Sequence, residues 1–206
     1  MNADSRRTPH LDSPLFRVSA GRLQRLFLLI LLMAVPALRA TDLRQGRVYS
    51  VTITDVDQHQ ISTADGHVTV VTVVTRKDEE KAQAVGDRFP REYLADSKFR
   101  LITLVNFQQK ILAPFRGLAL GIIRYRLDAE AKELQKVYAA KHLNRKARSD
   151  ILVAADFDGK TVPEFGIASN SSEFAVFVFD GRGRLVRHWD DVPSAEALAA
   201  ALNEAR

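Results

Sequence analysis

The stretch FAVFVFDGRGRLVRHW, residues 174–189, contains the most informative turn of the chain. Its first six residues are all apolar, which is typical of a buried strand. Residues 180–183, DGRG, are rich in the residue types that form tight turns between antiparallel strands. Residues 184–189, RLVRHW, then read as a second strand. The stretch therefore predicts a β-hairpin whose first strand is buried.

Three more strands are predicted upstream of this hairpin. Residues 68–75, VTVVTVVT, are β-branched and apolar on both faces, which is typical of a central strand covered by helices on each side. Residues 99–107, FRLITLVNF, form the next predicted strand, and residues 151–156, ILVAAD, the one after it. Residues 48–53, VYSVTI, alternate in polarity and predict a strand in a leading hairpin.

The helical segments lie between and after these strands. Asp78 is placed to cap a helix with acidic residues in its first turn. Residues 109–126 predict a helix interrupted by Pro114, Gly117 and Gly121. A cleaner helix follows over 127–142, with one apolar face made of Leu127, Ala131, Leu134 and Tyr138. A final helix begins at Pro193 and Ser194, and its expected core-facing residues are Ala195, Leu198, Ala199 and Leu202.

This order of elements resembles the thioredoxin-like superfamily, with a leading hairpin similar to that of the peroxiredoxins. Asp65-Gly66, before the central strand, resembles the "x-D-G-x-x-V-x-L" motif of redoxins. Residues 177–186, FVFDGRGRLV, resemble their "F-x-I-D-x-x-G-x-I-V" hairpin. The resemblance covers about residues 60–204. It implies an α/β, three-layer fold with a mixed central sheet and an N-terminal β-hairpin extension.

The resemblance also implies where redox chemistry would lie. In redox-active relatives a Cys-x-x-Cys motif or a peroxidatic cysteine follows the central strand, and here Asp78 and Lys81 lie near the two cysteine positions. The chain contains no cysteine. A cis-proline is expected before the hairpin strand, but residues 171–174 read SSEF. Thiol oxidoreductase and peroxidase activities are therefore excluded, and we predict no catalytic, cofactor-binding or metal-binding residue and no cofactor.

Residues 151–162, ILVAADFDGKTV, contain an Asp-x-Asp-Gly sequence that resembles the nucleophile loop of haloacid dehalogenase-type phosphatases. In that family the first aspartate attacks phosphorus and the second transfers the proton. Lys160 occupies a place where the motif has Thr or Val, and 50 residues are too few for the strands that must follow Asp156. The favoured interpretation is a strand-end turn. A metal-dependent phosphohydrolase using Asp156 and Asp158 is the alternative function.

The N-terminus predicts export. Basic residues precede an apolar run at 26–35, and Ala37 and Ala40 offer small residues for cleavage. We therefore expect a signal peptide at 1–40, a thioredoxin-like domain at 41–206, and a periplasmic location with no transmembrane segment after cleavage. The apolar run is shorter than the roughly 20 residues that span a bilayer. Cleavage after Ala37, cleavage after Ala40 and retention as an anchor all remain open.

The net charge of +5 is unevenly distributed. Residues 41–206 hold 24 basic and 23 acidic residues, which argues against a nucleic-acid binder. Residues 116–148 carry nine Lys or Arg and three acidic residues, whereas 149–206 carry five basic and ten acidic residues. This basic region is either a solvated helix with ion pairs, complementary to the acidic C-terminal half, or a face for anionic lipids or an acidic partner. The sequence thus predicts a non-catalytic binding or scaffold module, with an envelope protein as its partner through 116–148.

Overall fold

A computed structural model describes residues 43–94, 96–108, 113–140 and 142–206. The expected signal peptide, its cleavage after Ala37 or Ala40 and the alternative anchor lie outside these residues, and the domain boundary after residue 40 stays a prediction. No helix within the described ranges is long and apolar enough to cross a membrane.

Five strands form one mixed sheet. In chain order they are β3 (Val68–Val74), β4 (Phe99–Asn106), β5 (Leu152–Asp156), β6 (Ala175–Phe179) and β7 (Leu185–Trp189), and they lie side by side in the order β5-β4-β3-β6-β7. β3, β4 and β5 are parallel, while β6 is antiparallel to β3 and β7 is antiparallel to β6. The predicted central strand and C-terminal hairpin are confirmed, and all seven residues of β3 are buried.

A separate two-stranded hairpin precedes the sheet. It consists of β1 (Thr52–Thr54) and β2 (Gln60–Ser62), paired antiparallel. The predicted N-terminal hairpin is therefore present, although its first strand begins at Thr52 and Val48 forms only an isolated bridge with Arg184. The Asp65 carboxylate receives two hydrogen bonds of 2.8 Å from the Arg100 guanidinium, which fastens the end of this hairpin to β4.

The part of the chain that the structure describes contains four helices: α1 (Glu79–Arg88), α2 (Arg91–Leu94), α3 (Ala113–Ala140) and α4 (Ala195–Ala205). Short 3-10 turns occur at Ala147–Asp150 and Val162–Phe165. The Ser194 hydroxyl caps α4 as predicted, accepting a hydrogen bond of 3.1 Å from the Ala197 amide. The predicted buried face of α4 was partly wrong, since the buried residues are Leu198, Ala201, Leu202 and Ala205.

The sheet separates two apolar cores. Residues of α1, α2 and α4 cover one face, including Val85, Tyr93 and Leu198. Residues of the β1–β2 hairpin and of the Val162–Phe165 turn cover the other, including Ile53 and Phe165. The expectation that helices cover both faces of β3 therefore holds for one face, and the leading hairpin supplies the cover of the second.

α3 is a single helix of 28 residues, although the sequence predicted an interrupted helix and then a clean one. Pro114 is its second residue, where a backbone N–H has no helical acceptor, so proline does not interrupt the helix there. Gly117 and Gly121 lie inside the helix, where each glycine costs only about 0.5–1 kcal/mol. On the predicted face of the second half, Leu127, Ala131 and Tyr138 are buried as expected, whereas Leu134 is half-buried.

Candidate functional site

The loop that follows β3 occupies the place where redoxin cysteines are expected. The Asp78 carboxylate accepts hydrogen bonds from the Thr75 amide at 2.9 Å and from the Thr75 hydroxyl at 2.6 Å. Asp78 stands at the N-cap position of α1, but its side chain makes no capping bond. The predicted capping role is therefore wrong, because the carboxylate turns back to close the loop onto the end of β3.

Lys81 and Phe174 bring together the two regions where the redox site is expected. The Lys81 ammonium group lies 5.0 Å from the centre of the Phe174 ring, and it lies 2.9 Å from a carboxylate oxygen of Asp191. Phe174 comes directly before β6, at the end of the region expected to hold the cis-proline. No cis peptide bond occurs within the described ranges. A cation–π contact therefore occupies the expected site, and none of these side chains exchanges electrons or disulfides.

A cavity of about 430 Å³ opens beside Phe174. Phe165 and Phe177 form part of its wall, with ring centres 5.4 Å apart. The His188 ring stacks on Phe177 at 4.6 Å, and its Nε2 lies 3.1 Å from the Asp190 carboxylate. The cavity therefore combines flat apolar walls with an acidic rim. The sequence did not predict that these residues lie together, because no spacing pattern relates Phe165, in the Val162–Phe165 turn, to His188 near the end of β7.

Asp156 is a structural acceptor at the end of β5. Its side chain is buried, and its two carboxylate oxygens accept backbone hydrogen bonds from Lys160 at 3.0 Å, Thr161 at 3.1 Å and Val162 at 2.8 Å. These bonds fold the chain into the Val162–Phe165 turn. The strand-end turn predicted from the sequence is thus present, and its first aspartate is fully engaged with the backbone.

Asp158 lies on the outer side of the same turn. Its carboxylate is 3.0 Å from the Lys160 ammonium group, and this hydrogen bond is the main reason that the pKa of Asp158 is lowered. Burial and the charge of Asp156 raise the pKa of Glu164. The described residues contain no group of three or more His, Asp or Glu side chains arranged to hold a metal ion.

Three histidines of the described region, His59, His67 and His188, each pair with one carboxylate. His59 lies 3.0 Å from Asp55, and His67 lies 2.8 Å from Asp65. Together with the His188–Asp190 pair, these contacts are local, between residues two to four positions apart. They give the histidines structural partners at the surface.

Several basic side chains of the region 116–148 form ion pairs with acidic residues of the same chain. Arg124 lies 3.3 Å from Asp57, and Arg148 pairs with both Asp57 and Asp128. Arg145 pairs with Asp150. The interpretation of the region as a helix with ion pairs is therefore supported. Its acidic partners, however, come chiefly from the β1–β2 connection and from α3 itself, whereas the C-terminal half contributes Asp150.

No protein-family model and no curated protein matches the chain. Among solved structures, the chain is similar to a thiol:disulfide interchange protein, DsbE, from Chlorobium tepidum. The two share 13% identity over 80% of this chain and 99% of that chain, with a TM-score of 0.49. A peroxiredoxin-like protein from Aquifex aeolicus has 14% identity over 80% of this chain and 86% of its own, with a TM-score of 0.45. The exposed lipoprotein thioredoxin Etrx1 from Streptococcus pneumoniae has 15% identity over 76% and 99%, with a TM-score of 0.46.

At these values the fold assignment is based on the chain's own topology. Three parallel strands lie beside an antiparallel hairpin in one sheet, a leading hairpin precedes them, and a helix closes the chain. The helix α1 leaves the central strand β3, and β6 pairs with β3 on its other side. This chain has the thioredoxin-like fold and contains no cysteine.

Proposed function

We propose that the protein is an exported binding or scaffold module that carries out no thiol redox chemistry. The observation that carries this proposal is the contact between Lys81 and Phe174. It occupies the expected redox site with an ammonium group and an aromatic ring. The predicted signal peptide supports a periplasmic location, where the module binds another protein of the cell envelope.

The basic region 116–148 supplies the contact surface for that partner. Arg124, Arg145 and Arg148 hold the region onto the rest of the fold through their ion pairs. Exposed basic side chains remain at Lys132 and Lys136, although Lys136 pairs within the helix with Glu133 at 2.7 Å. An acidic partner surface would replace such an exposed pair at little cost, because exposed ion pairs contribute at most about 1 kcal/mol.

Crosslinking in the native envelope, followed by purification of the protein, tests this proposal. We expect one specific protein partner, and we expect its recovery to fall when Lys132 and Lys136 are both replaced by glutamate. N-terminal sequencing of the recovered protein should give a start at residue 38 or 41. Robust turnover in a disulfide-exchange or peroxidase assay would overturn the proposal, and a start at residue 1 would overturn cleavage.

A phosphatase assay separates the proposal from the phosphohydrolase alternative, which predicts magnesium-dependent hydrolysis of a generic phosphate ester. We expect hydrolysis by the purified protein with magnesium to stay at the level of a blank. The reason is that the Asp156 carboxylate accepts hydrogen bonds from three backbone N–H groups and Asp158 is paired with Lys160. Activity that is abolished by Asp156→Asn would restore this alternative.

A further inference from the structure

Helix α3 and the 3-10 turn at Ala147–Asp150 are fastened to each other by side chains. The side-chain oxygen of Gln135, on α3, accepts a hydrogen bond of 2.9 Å from the Ala147 amide at the start of the turn. The Tyr138 hydroxyl, also on α3, donates a hydrogen bond of 2.9 Å to Asp150 at the end of the turn. The helix and the turn therefore form one body, which we call the α3 unit.

The buried side chains of the α3 unit belong to neither core of the sheet. They are Leu127, Ala131, Tyr138 and Ala147, and each is at most 7% exposed. None of them is a member of either apolar core, and no residue from 114 to 126 is buried. The two cores therefore do not hold the α3 unit in place through these side chains.

Two arginines of the α3 unit meet at one carboxylate of the leading hairpin. That carboxylate belongs to Asp57, in the connection between β1 and β2. One of its oxygens lies 3.3 Å from Nε of Arg124, on α3, and the other lies 2.5 Å from a guanidinium nitrogen of Arg148, in the 3-10 turn. Arg124 also donates a hydrogen bond to the Val56 carbonyl oxygen. Asp57 therefore links both elements of the α3 unit to the hairpin.

We propose that Asp57 is a salt-sensitive latch, which holds the α3 unit against the leading hairpin and whose release lets the unit open while the sheet stays folded. Segments that contribute little to a core open locally at a lower free energy than that of global unfolding. Ion pairs of partly exposed groups weaken as salt is added, because the screening length falls from about 10 Å at 0.1 M to about 3 Å at 1 M. Opening separates Arg124 and Arg148 from Asp57 and makes both available within the basic region 116–148.

Asp128 supplies the comparison that isolates the latch. It also pairs with Arg148, at 3.0 Å, but it lies on α3 itself. Replacing Asp128 by asparagine removes one negative charge and one partner of Arg148 without removing a link to the hairpin. Replacing Asp57 by asparagine removes the same charge together with the links to Arg124 and Arg148. The two variants therefore differ in whether the α3 unit stays attached.

Native-state hydrogen exchange of the purified full chain, followed by mass spectrometry, tests this inference. Peptides from 127–140 report the opening of the α3 unit, and peptides from β3 and β6 report the unfolding of the sheet. The wild type, Asp57→Asn and Asp128→Asn are compared at about 0.05 M and about 0.5 M sodium chloride, between which the screening length changes severalfold. Circular dichroism confirms that each variant folds.

We expect Asp57→Asn to raise the exchange rate of 127–140 at low salt by about fivefold to about 30-fold, because the loss of two such ion pairs shifts the opening equilibrium by up to this factor. The exchange rates of β3 and β6 should stay at their wild-type values. Asp128→Asn should remain within about twofold of the wild type. Added salt should raise the exchange rate of 127–140 in the wild type and so reduce its difference from Asp57→Asn.

Three results overturn the inference. Equal exchange in Asp57→Asn and the wild type means that other contacts hold the α3 unit. Equal acceleration in Asp57→Asn and Asp128→Asn means that the lost charge acts generally and not through the hairpin. Exchange of 127–140 at the rate of the sheet in every variant means that the unit opens only on global unfolding. Because the measurement needs no partner, its failure leaves the proposed function untouched, and a failed crosslinking experiment leaves the latch untouched.

Discussion

Replacing Asp156 by alanine removes the acceptor for three backbone N–H groups at the end of β5. These groups belong to Lys160, Thr161 and Val162, and the amide of Val162 starts the 3-10 turn that helps to cover one apolar core. The carboxylate is buried, so water has little access to the groups that it leaves behind. Asp156→Ala therefore tests directly whether this aspartate serves the fold.

The expected loss follows from the three hydrogen bonds. Each bond of this kind contributes about 1 kcal/mol net, so Asp156→Ala should lower the free energy of unfolding by about 3 kcal/mol. For a domain of this size, 1 kcal/mol changes the melting temperature by about 2–4 °C, which predicts a fall of about 6–12 °C. Asp158→Ala is the matched control, since its exposed ion pair with Lys160 contributes about 0–1 kcal/mol.

Urea unfolding followed by the fluorescence of Trp189 measures both variants, with circular dichroism for the thermal transition. We expect a lower midpoint for Asp156→Ala at an unchanged slope, and near-wild-type values for Asp158→Ala. The reasoning is refuted if the two variants lose the same stability, or if Asp156→Ala stays within about 1 kcal/mol of the wild type. A catalytic nucleophile behaves in the opposite way, because its removal abolishes turnover and often leaves stability unchanged or higher.

Two further predictions concern the hairpins. Burial raises the pKa of Asp65, but hydrogen bonds led by those from Arg100 outweigh it and lower the pKa to about 2. Because the pKa of Asp65 is depressed in the folded state, Asp65→Asn should lower the free energy of unfolding by about 1–2 kcal/mol at neutral pH. Urea titrations should show the difference between wild type and variant shrink as the pH falls from about 4 to about 2. A difference that does not depend on pH would contradict this. Gly183 has a φ of 81°, and an added Cβ would lie 2.3 Å from the Tyr49 carbonyl oxygen. Gly183→Ala should therefore lose at least about 2 kcal/mol in thermal unfolding, whereas Gly117→Ala, in open space on α3, should gain up to about 1 kcal/mol; equal effects would refute the steric argument.

Local sequence patterns predicted the sheet well, because each strand carries its own signal. The β-branched run at 68–75 became β3, and the DGRG turn joins β6 to β7 as expected. These elements depend on residues that are neighbours in sequence. The arrangement of the strands was predicted from the resemblance to thioredoxin-like proteins, and the observed strand order confirms that fold.

Helix boundaries and faces were predicted less well, for identifiable reasons. Pro114 suggested an interruption, yet proline is tolerated in the first turn of a helix, so α3 is continuous. In α4, alanines occur on several sides of the helix, so that composition did not separate the buried Ala201 and Ala205 from the exposed Ala195. Asp78 had the right residue type for a cap, but the neighbouring Thr75 offered its carboxylate two better donors.

At the candidate site, the sequence predicted only which redox residues are missing. The missing cysteine and the missing proline were evident in the sequence, but the Lys81–Phe174 contact joins residues 93 positions apart. The exposed apolar row of α3, made of Phe115, Leu118, Ile122 and Tyr125, was also missed. Gly117 and Gly121 between its members suggested a broken segment, and such a row becomes evident only once a continuous helix is present.

No residue from 114 to 126, in the first half of α3, is buried, and this has a consequence for how the sequence can evolve. Its side chains contribute to neither core, so selection for folding alone leaves them free to become polar. Random drift would erase a row such as Phe115, Leu118, Ile122 and Tyr125 sooner than it would erase any strand of the sheet. Its persistence in descendants of this gene would therefore record selection for what the row touches, separately from selection for the fold.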